Sequence, residues 1–111
     1  MKFVHATIHT KDKDSEVDFY KKYVGLKTIR AFGNIEFLGN EDGETLVEII
    51  EDANAAFEGS GISLGFACGD VESYREKLAE EGLNPTPVIS PNPAVKFFFV
   101  TDPAGVTVQF I

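Results

Sequence analysis

The chain has 111 residues, of which 43% are hydrophobic and 25% charged, and a formal net charge of −8 at pH 7. That length makes one domain with a real core rather than two independent ones, and the composition is that of a folded globular protein. The acidic balance excludes nucleic acid as a partner, because phosphates need a basic footprint. With no apolar run near 18 residues, the chain is expected to have no membrane span and no membrane partner.

The first residues, Met1-Lys2-Phe3-Val4-His5, lack the apolar block of a signal peptide. The single cysteine, Cys68, cannot form an internal disulfide, so a reducing, cytoplasmic setting is expected. Cys68 lies in the apolar run Leu64–Cys68 and reads as an inert thiol rather than a nucleophile. The acidity suits either a cationic guest or solubility alone.

Residues 3–10 alternate like a strand. Asp14-Ser15 can cap a helix, with Glu16 and Asp18 in its first turn. Val17, Tyr20 and Val24 form its apolar stripe, and Gly25 ends it. Leu26–Phe32, Ile35–Leu38 and Thr45–Ile50 read as three strands joined by turns at Gly33-Asn34 and Asn40–Gly43.

The plan then repeats. Ile62–Cys68 reads as a strand, and Asp70 caps a helix running to Glu81, with Val71, Tyr74 and Leu78 toward the core. Gly82 ends that helix and Leu83 follows it, as Leu26 follows Gly25. Strands are expected near 86–89, 95–101 and 106–111, the first at an edge because prolines surround it. Asp102-Pro103-Ala104-Gly105 is a tight turn.

The expected fold is therefore α+β. It consists of two tandem βαβββ units, 1–50 and 61–111, joined by an acidic linker over 51–60. Their strands are expected to form a curved mixed sheet around a concave pocket, with the helices outside.

Parity within each strand selects the side chains that face away from the helices. In the first strand Val4, Ala6 and Ile8 suit packing against a helix, which leaves His5, Thr7 and His9 on the open face. Glu48 is a carboxylate between Leu46 and Ile50 on its own face, and Gln109 is an amide on a half-apolar strand. Phe97 and Phe99 share a face. His and Glu are good ligands for a divalent metal, and a Gln oxygen is an acceptable one. Equally, His5 fits a hydrogen-bonded structural role, Glu48 an exposed edge, and Gln109 a bond to a neighbouring backbone group.

These residues carry a family resemblance. Val4-His5-Ala-Thr-Ile-His-Thr, Ser15-Glu-Val-Asp-Phe19-Tyr20, Val24-Gly25-Leu26 and Asp102-Pro-Ala-Gly105 resemble the vicinal oxygen chelate superfamily. That group includes glyoxalase I, the bleomycin-resistance proteins, fosfomycin-resistance enzymes and extradiol dioxygenases. The resemblance spans essentially the whole chain and implies one glyoxalase/bleomycin-resistance-like domain. It also implies a homodimer and one divalent metal (Zn, Ni, Mn or Fe) held by four side chains. His5 and Glu48 match the first two ligands; the third, usually histidine, falls near Ser63; the fourth, usually glutamate, is Gln109. In glyoxalase I that last glutamate is also thought to move the substrate proton, and an amide cannot act as a base.

Two functions follow, beside a blander reading as an accessory or structural domain with no small-molecule role. In the first, the chain is a small-molecule binding protein with a degenerate metal site and a pocket lined by Thr7, His9, Ser63, Phe97 and Phe99. Its guest is cationic or aromatic, and no metal is needed. In the second, His5, Glu48 and Gln109 hold the metal of a lyase, isomerase or dioxygenase acting on vicinal oxygens.

Overall fold

Gly25 and Gly82, each followed by a change of period, mark where the chain leaves its helices, and the computed structural model of residues 1–111 follows those marks. The order is β1 (His5–Thr10), α1 (Lys13–Phe19), β2 (Lys27–Phe32), β3 (Ile35–Gly39), β4 (Leu46–Glu51), β5 (Ser63–Phe66), α2 (Val71–Glu80), β6 (Ile89–Asn92), β7 (Val95–Thr101) and β8 (Thr107–Phe110). This is α+β with two βαβββ units. Hydrogen bonding groups the strands into two four-stranded mixed sheets, ordered β1-β4-β3-β2 and β5-β8-β7-β6. The first and last strands of each unit are parallel and the others antiparallel. The chain divides into two compact units, Met1–Gly59 and Ser60–Ile111.

In the first unit the helix begins earlier than its sequence signal. Asp12, not Asp14-Ser15, is the cap; its carboxylate accepts a hydrogen bond from the Ser15 backbone N–H at 3.2 Å. Three cap-competent residues stand within four positions. The one whose side chain reaches the amide three residues on takes the role. A π-helical turn over Tyr20–Val24 continues α1 and closes on Gly25 at φ 80°, where Leu26 N–H donates back to Tyr20 O. Val17, Phe19 and Tyr20 are buried, and so are Ile8, Leu38, Val47 and Ile49 of the sheet. Glu36 lies on the same side of the sheet, with Lys13 and Lys21 of the helical segment 3.8 and 3.6 Å from its carboxylate.

In the second unit Asp70 caps α2 as expected, accepting from Ser73 N–H at 3.0 Å. Its core joins Val71, Leu78, Val100, Val106 and Val108 to an aromatic cluster, in which Phe98 stacks on Phe110 at 5.3 Å and Tyr74 of α2 meets Phe110 at 5.2 Å. The strand expected near 86–89 lies instead at Ile89–Asn92. Pro85 and Pro87 flank Thr86 and cannot donate to a ladder. Thr86 alone docks, giving its N–H to Phe99 O and accepting from Phe99 N–H through its hydroxyl, both at 3.0 Å.

Arg75 of α2 fastens this segment by donating to Thr86 O at 2.7 Å and Pro85 O at 3.3 Å. Arg75→Ala is therefore expected to cost about 1–2 kcal/mol, the worth of charge-assisted hydrogen bonds at a half-buried site. Urea denaturation should show a lower midpoint with an unchanged slope.

Cys68 is half-buried, and burial, reinforced by the nearby Asp70, pushes its thiol above the usual cysteine range. Such a thiol is mostly protonated at neutral pH and a poor nucleophile. No helix is long and apolar enough to cross a membrane.

Candidate functional site

Burial alternates along β1: Ile8 and Thr10 are buried on the helix side, while His5, Thr7 and His9 lie on the other. The ladder then fixes their neighbours. Thr7 pairs with Glu48, Glu48 with Phe37, and Phe37 with Arg30. One row thus crosses all four strands of the first sheet, with the hydroxyl, carboxylate, ring and guanidinium side by side. Arg30 reaches this row because β2 carries an irregularity between Thr28 and Arg30, which shifts the pairing by one residue.

The contacts within the row are specific. Thr7 Oγ1 donates to Glu48 Oε1 at 2.5 Å, and His5 Nε2 lies 3.5 Å from the same oxygen. The Glu48 side chain is 12% exposed and that of His5 39%. A carboxylate this enclosed needs a donor, and the Thr7 hydroxyl supplies it, with the His5 ring nitrogen close by. The His5 ring meets the Phe37 ring edge-on at 5.6 Å, and the Arg30 guanidinium lies over that ring at 4.9 Å. Arg30 Nη1 also donates to Asp42 at 2.9 Å. His9 occupies the next row, opposite Ile50. Its Nδ1 is buried without a hydrogen-bond partner, 3.7 Å from Asp52 Oδ2.

The second sheet repeats the register with other residues. Ser63 pairs with Thr107, Gly65 with Gln109, and Gln109 with Phe99. Aligned on the starts of β1 and β5 and carried across by the ladder pairing, Ser63 stands where His5 does, Gly65 where Thr7 does, Gln109 where Glu48 does, and Phe99 where Phe37 does. Gln109 is half-buried and its Oε1 leans over Gly65, where an added Cβ would be 3.2 Å away. Phe97 and Phe99 lie on the same face, their rings edge-to-face at 5.5 Å.

The first unit therefore gathers Thr7, hydrogen-bonded to Glu48, and His5, 3.5 Å from the same carboxylate, with His9 apart, and the second places Ser63, Phe97, Phe99 and Gln109 on one face. Arg30 and Phe37 carry no sequence motif that marks them as site residues. Alternation along Ile35–Leu38 could have found Phe37 once the face of Glu48 was known. Arg30 could not be found, because the shift that aligns it has no local signature.

No three His, Cys, Asp or Glu side chains converge on a point. The first unit offers one imidazole and one carboxylate, whose Oε1 already accepts from Thr7; the second offers only a hydroxyl and an amide at the matching positions. Neither set by itself fits a divalent metal, which takes several charged or imidazole donors.

Comparison with known proteins agrees with this architecture. The family model described as Glyoxalase/Bleomycin resistance protein/Dioxygenase superfamily matches residues 2–110, and the chain belongs to that family. It is 30% identical over 124 aligned positions to a lactoylglutathione lyase of Haemophilus influenzae, covering 100% of this chain and 92% of the relative. Among solved structures it is similar to the trypanothione-dependent glyoxalase I of Leishmania major, with a TM-score of 0.80 at 18% identity over 100% of this chain and 86% of that one. It is also similar to TnmS3, an antibiotic binding protein of Streptomyces sp. CB03234, with a TM-score of 0.79 at 15% identity over 99% and 94% of the two chains. At these identities the two structures speak for the fold alone.

Proposed function

We propose that this glyoxalase-family domain binds a cationic or aromatic small molecule and does not move a substrate proton with its last strand. One observation carries the reading: Gln109 stands at the register position in the second unit that Glu48 holds in the first. A carboxylate there could take a proton and an amide cannot. Ser63 at the position matching His5 removes the second ionisable donor of the repeat.

Isothermal titration with a cationic glycopeptide and with planar aromatic compounds tests the reading. Saturable heat with either is expected. No heat with any of them, together with stoichiometric metal in protein purified without chelator, would overturn it.

Glu48 is the carboxylate in the row that faces away from α1. Glu48→Gln keeps an acceptor for Thr7 but removes the charge, so it is expected to weaken a cationic guest about tenfold, the equivalent of about 1.4 kcal/mol. The dependence of affinity on salt should flatten at the same time.

A second reading is supported by the His5–Glu48 pair at 3.5 Å and by the lactoylglutathione lyase relative. There the domain is a metal-dependent lyase, isomerase or dioxygenase. Elemental analysis, and a thermal shift on adding Zn²⁺, Ni²⁺, Mn²⁺ or Fe²⁺, would support it; neither metal nor shift would exclude it.

A further inference from the structure

The two sheets differ in what their open faces can recognise. On the first, Thr7 closes the row by giving its hydroxyl to Glu48. On the second, the matching residue is Gly65, which has no side chain to give. Gln109 lies down into the space so left, its Oε1 3.2 Å from where a Cβ of residue 65 would sit. The amide makes no hydrogen bond within the chain. Beside it across the ladder is Phe99, with Phe97 edge-on to that ring.

This surface carries no charge. Lys96, between Val95 and Phe97 in sequence, points to the opposite side and binds Glu72 of α2 at 2.7 Å. Ser63, Gly65, Thr107 and Gln109, which pair along β5 and β8, are all neutral.

We propose that Gly65 and Gln109 form a specificity element for a neutral, planar aromatic group bearing a carboxamide. The inference rests on the small-molecule reading above and names the ligand chemistry that the second sheet would take. The primary amide of Gln109 presents a donor and an acceptor side by side, the complement of another amide. Phe99 and Phe97 supply one face and one edge for the attached ring. A carboxylate in the same place would find no cation on this face and would enter a protein of net charge −8. Gly65 makes the arrangement possible, because any side chain there would compete for the space the Gln109 amide occupies.

The test is calorimetric titration of 2-naphthamide and 2-naphthoate, which share a shape and differ in charge. The wild type is expected to bind the amide at least about tenfold more tightly than the carboxylate. Gln109→Leu, close in volume, should weaken 2-naphthamide about tenfold, since an amide left without its partner loses roughly that much. Gly65→Thr should weaken it likewise without lowering Tm, because a β-branched residue suits an edge strand and restores the pattern of Thr7. Equal binding of the two probes, or an unchanged affinity in Gln109→Leu, would overturn the inference. Binding of a cationic glycopeptide without either naphthyl probe would also overturn it while leaving the proposed function intact. Silence from both naphthyl probes would overturn the inference, and silence from every ligand together with stoichiometric metal in the purified protein would end both.

Discussion

Phe110→Ala is expected to destabilise the protein by about 3–5 kcal/mol, the range for removing a large aromatic from a packed core. Phe110 is 1% exposed. It stacks on Phe98 at 5.3 Å, meets Tyr74 of α2 at 5.2 Å and lies 6.5 Å from Phe66 of β5. One ring therefore joins the helix to three strands. Urea denaturation followed by far-UV circular dichroism should show the loss as a lower midpoint. A Phe110→Leu variant should recover part of it by refilling the volume. A loss below about 1 kcal/mol for the alanine variant would mean that the second core does not depend on this ring.

Asp102→Ala is expected to cost roughly 2–4 kcal/mol, because it leaves a buried backbone donor unpaired as well as removing charge-assisted bonds. Asp102 is 4% exposed. Its Oδ1 accepts from Ala104 N–H and Val106 N–H, each at 2.9 Å. Its backbone N–H donates to Val106 O, and its carbonyl accepts from Gly105 N–H. Gly105 sits at φ 95°, so the turn also depends on a residue without a Cβ. Asp102→Asn retains an acceptor at the same place and should lose less than half as much. Equal losses in the two variants would show that charge, rather than hydrogen-bond acceptance, holds the turn. The readout is again the urea midpoint, with ligand titration at a temperature where each variant is folded.

Much of the scaffold was legible from local chemistry. Asp70 is legible as a cap because a side chain and an amide three residues away decide it. Gly25, Gly82 and Gly105 are legible as stops and turns because glycine tolerates the positive φ each takes, of 80°, 91° and 95°. Strand parity assigned His5, Thr7 and His9 to one side of β1, since alternation is intrinsic to a strand. The errors lay where local signals were redundant or broken. Asp12 and Asp14 are both competent caps, and reach to Ser15 N–H selected the first. The prolines around Thr86 weakened strand pairing over 86–89, and the ladder to β7 formed later, at Ile89 and Asn92.

By itself, the sequence determined the order of elements, the doubling of the βαβββ unit and the list of polar residues on half-apolar strands. Those follow from periodicity and turn chemistry, which act over a few residues. The tertiary structure alone decided which of these residues meet. Residues 7 and 48 are brought together by a parallel ladder whose register no local signal encodes. The same applies to Arg30, carried onto the Phe37 ring by an irregularity in β2, and to Gln109, laid over Gly65 because the residue opposite it has no side chain. Pairing across strands is set by packing of the whole sheet, and on that packing the proposed chemistry of the open faces depends.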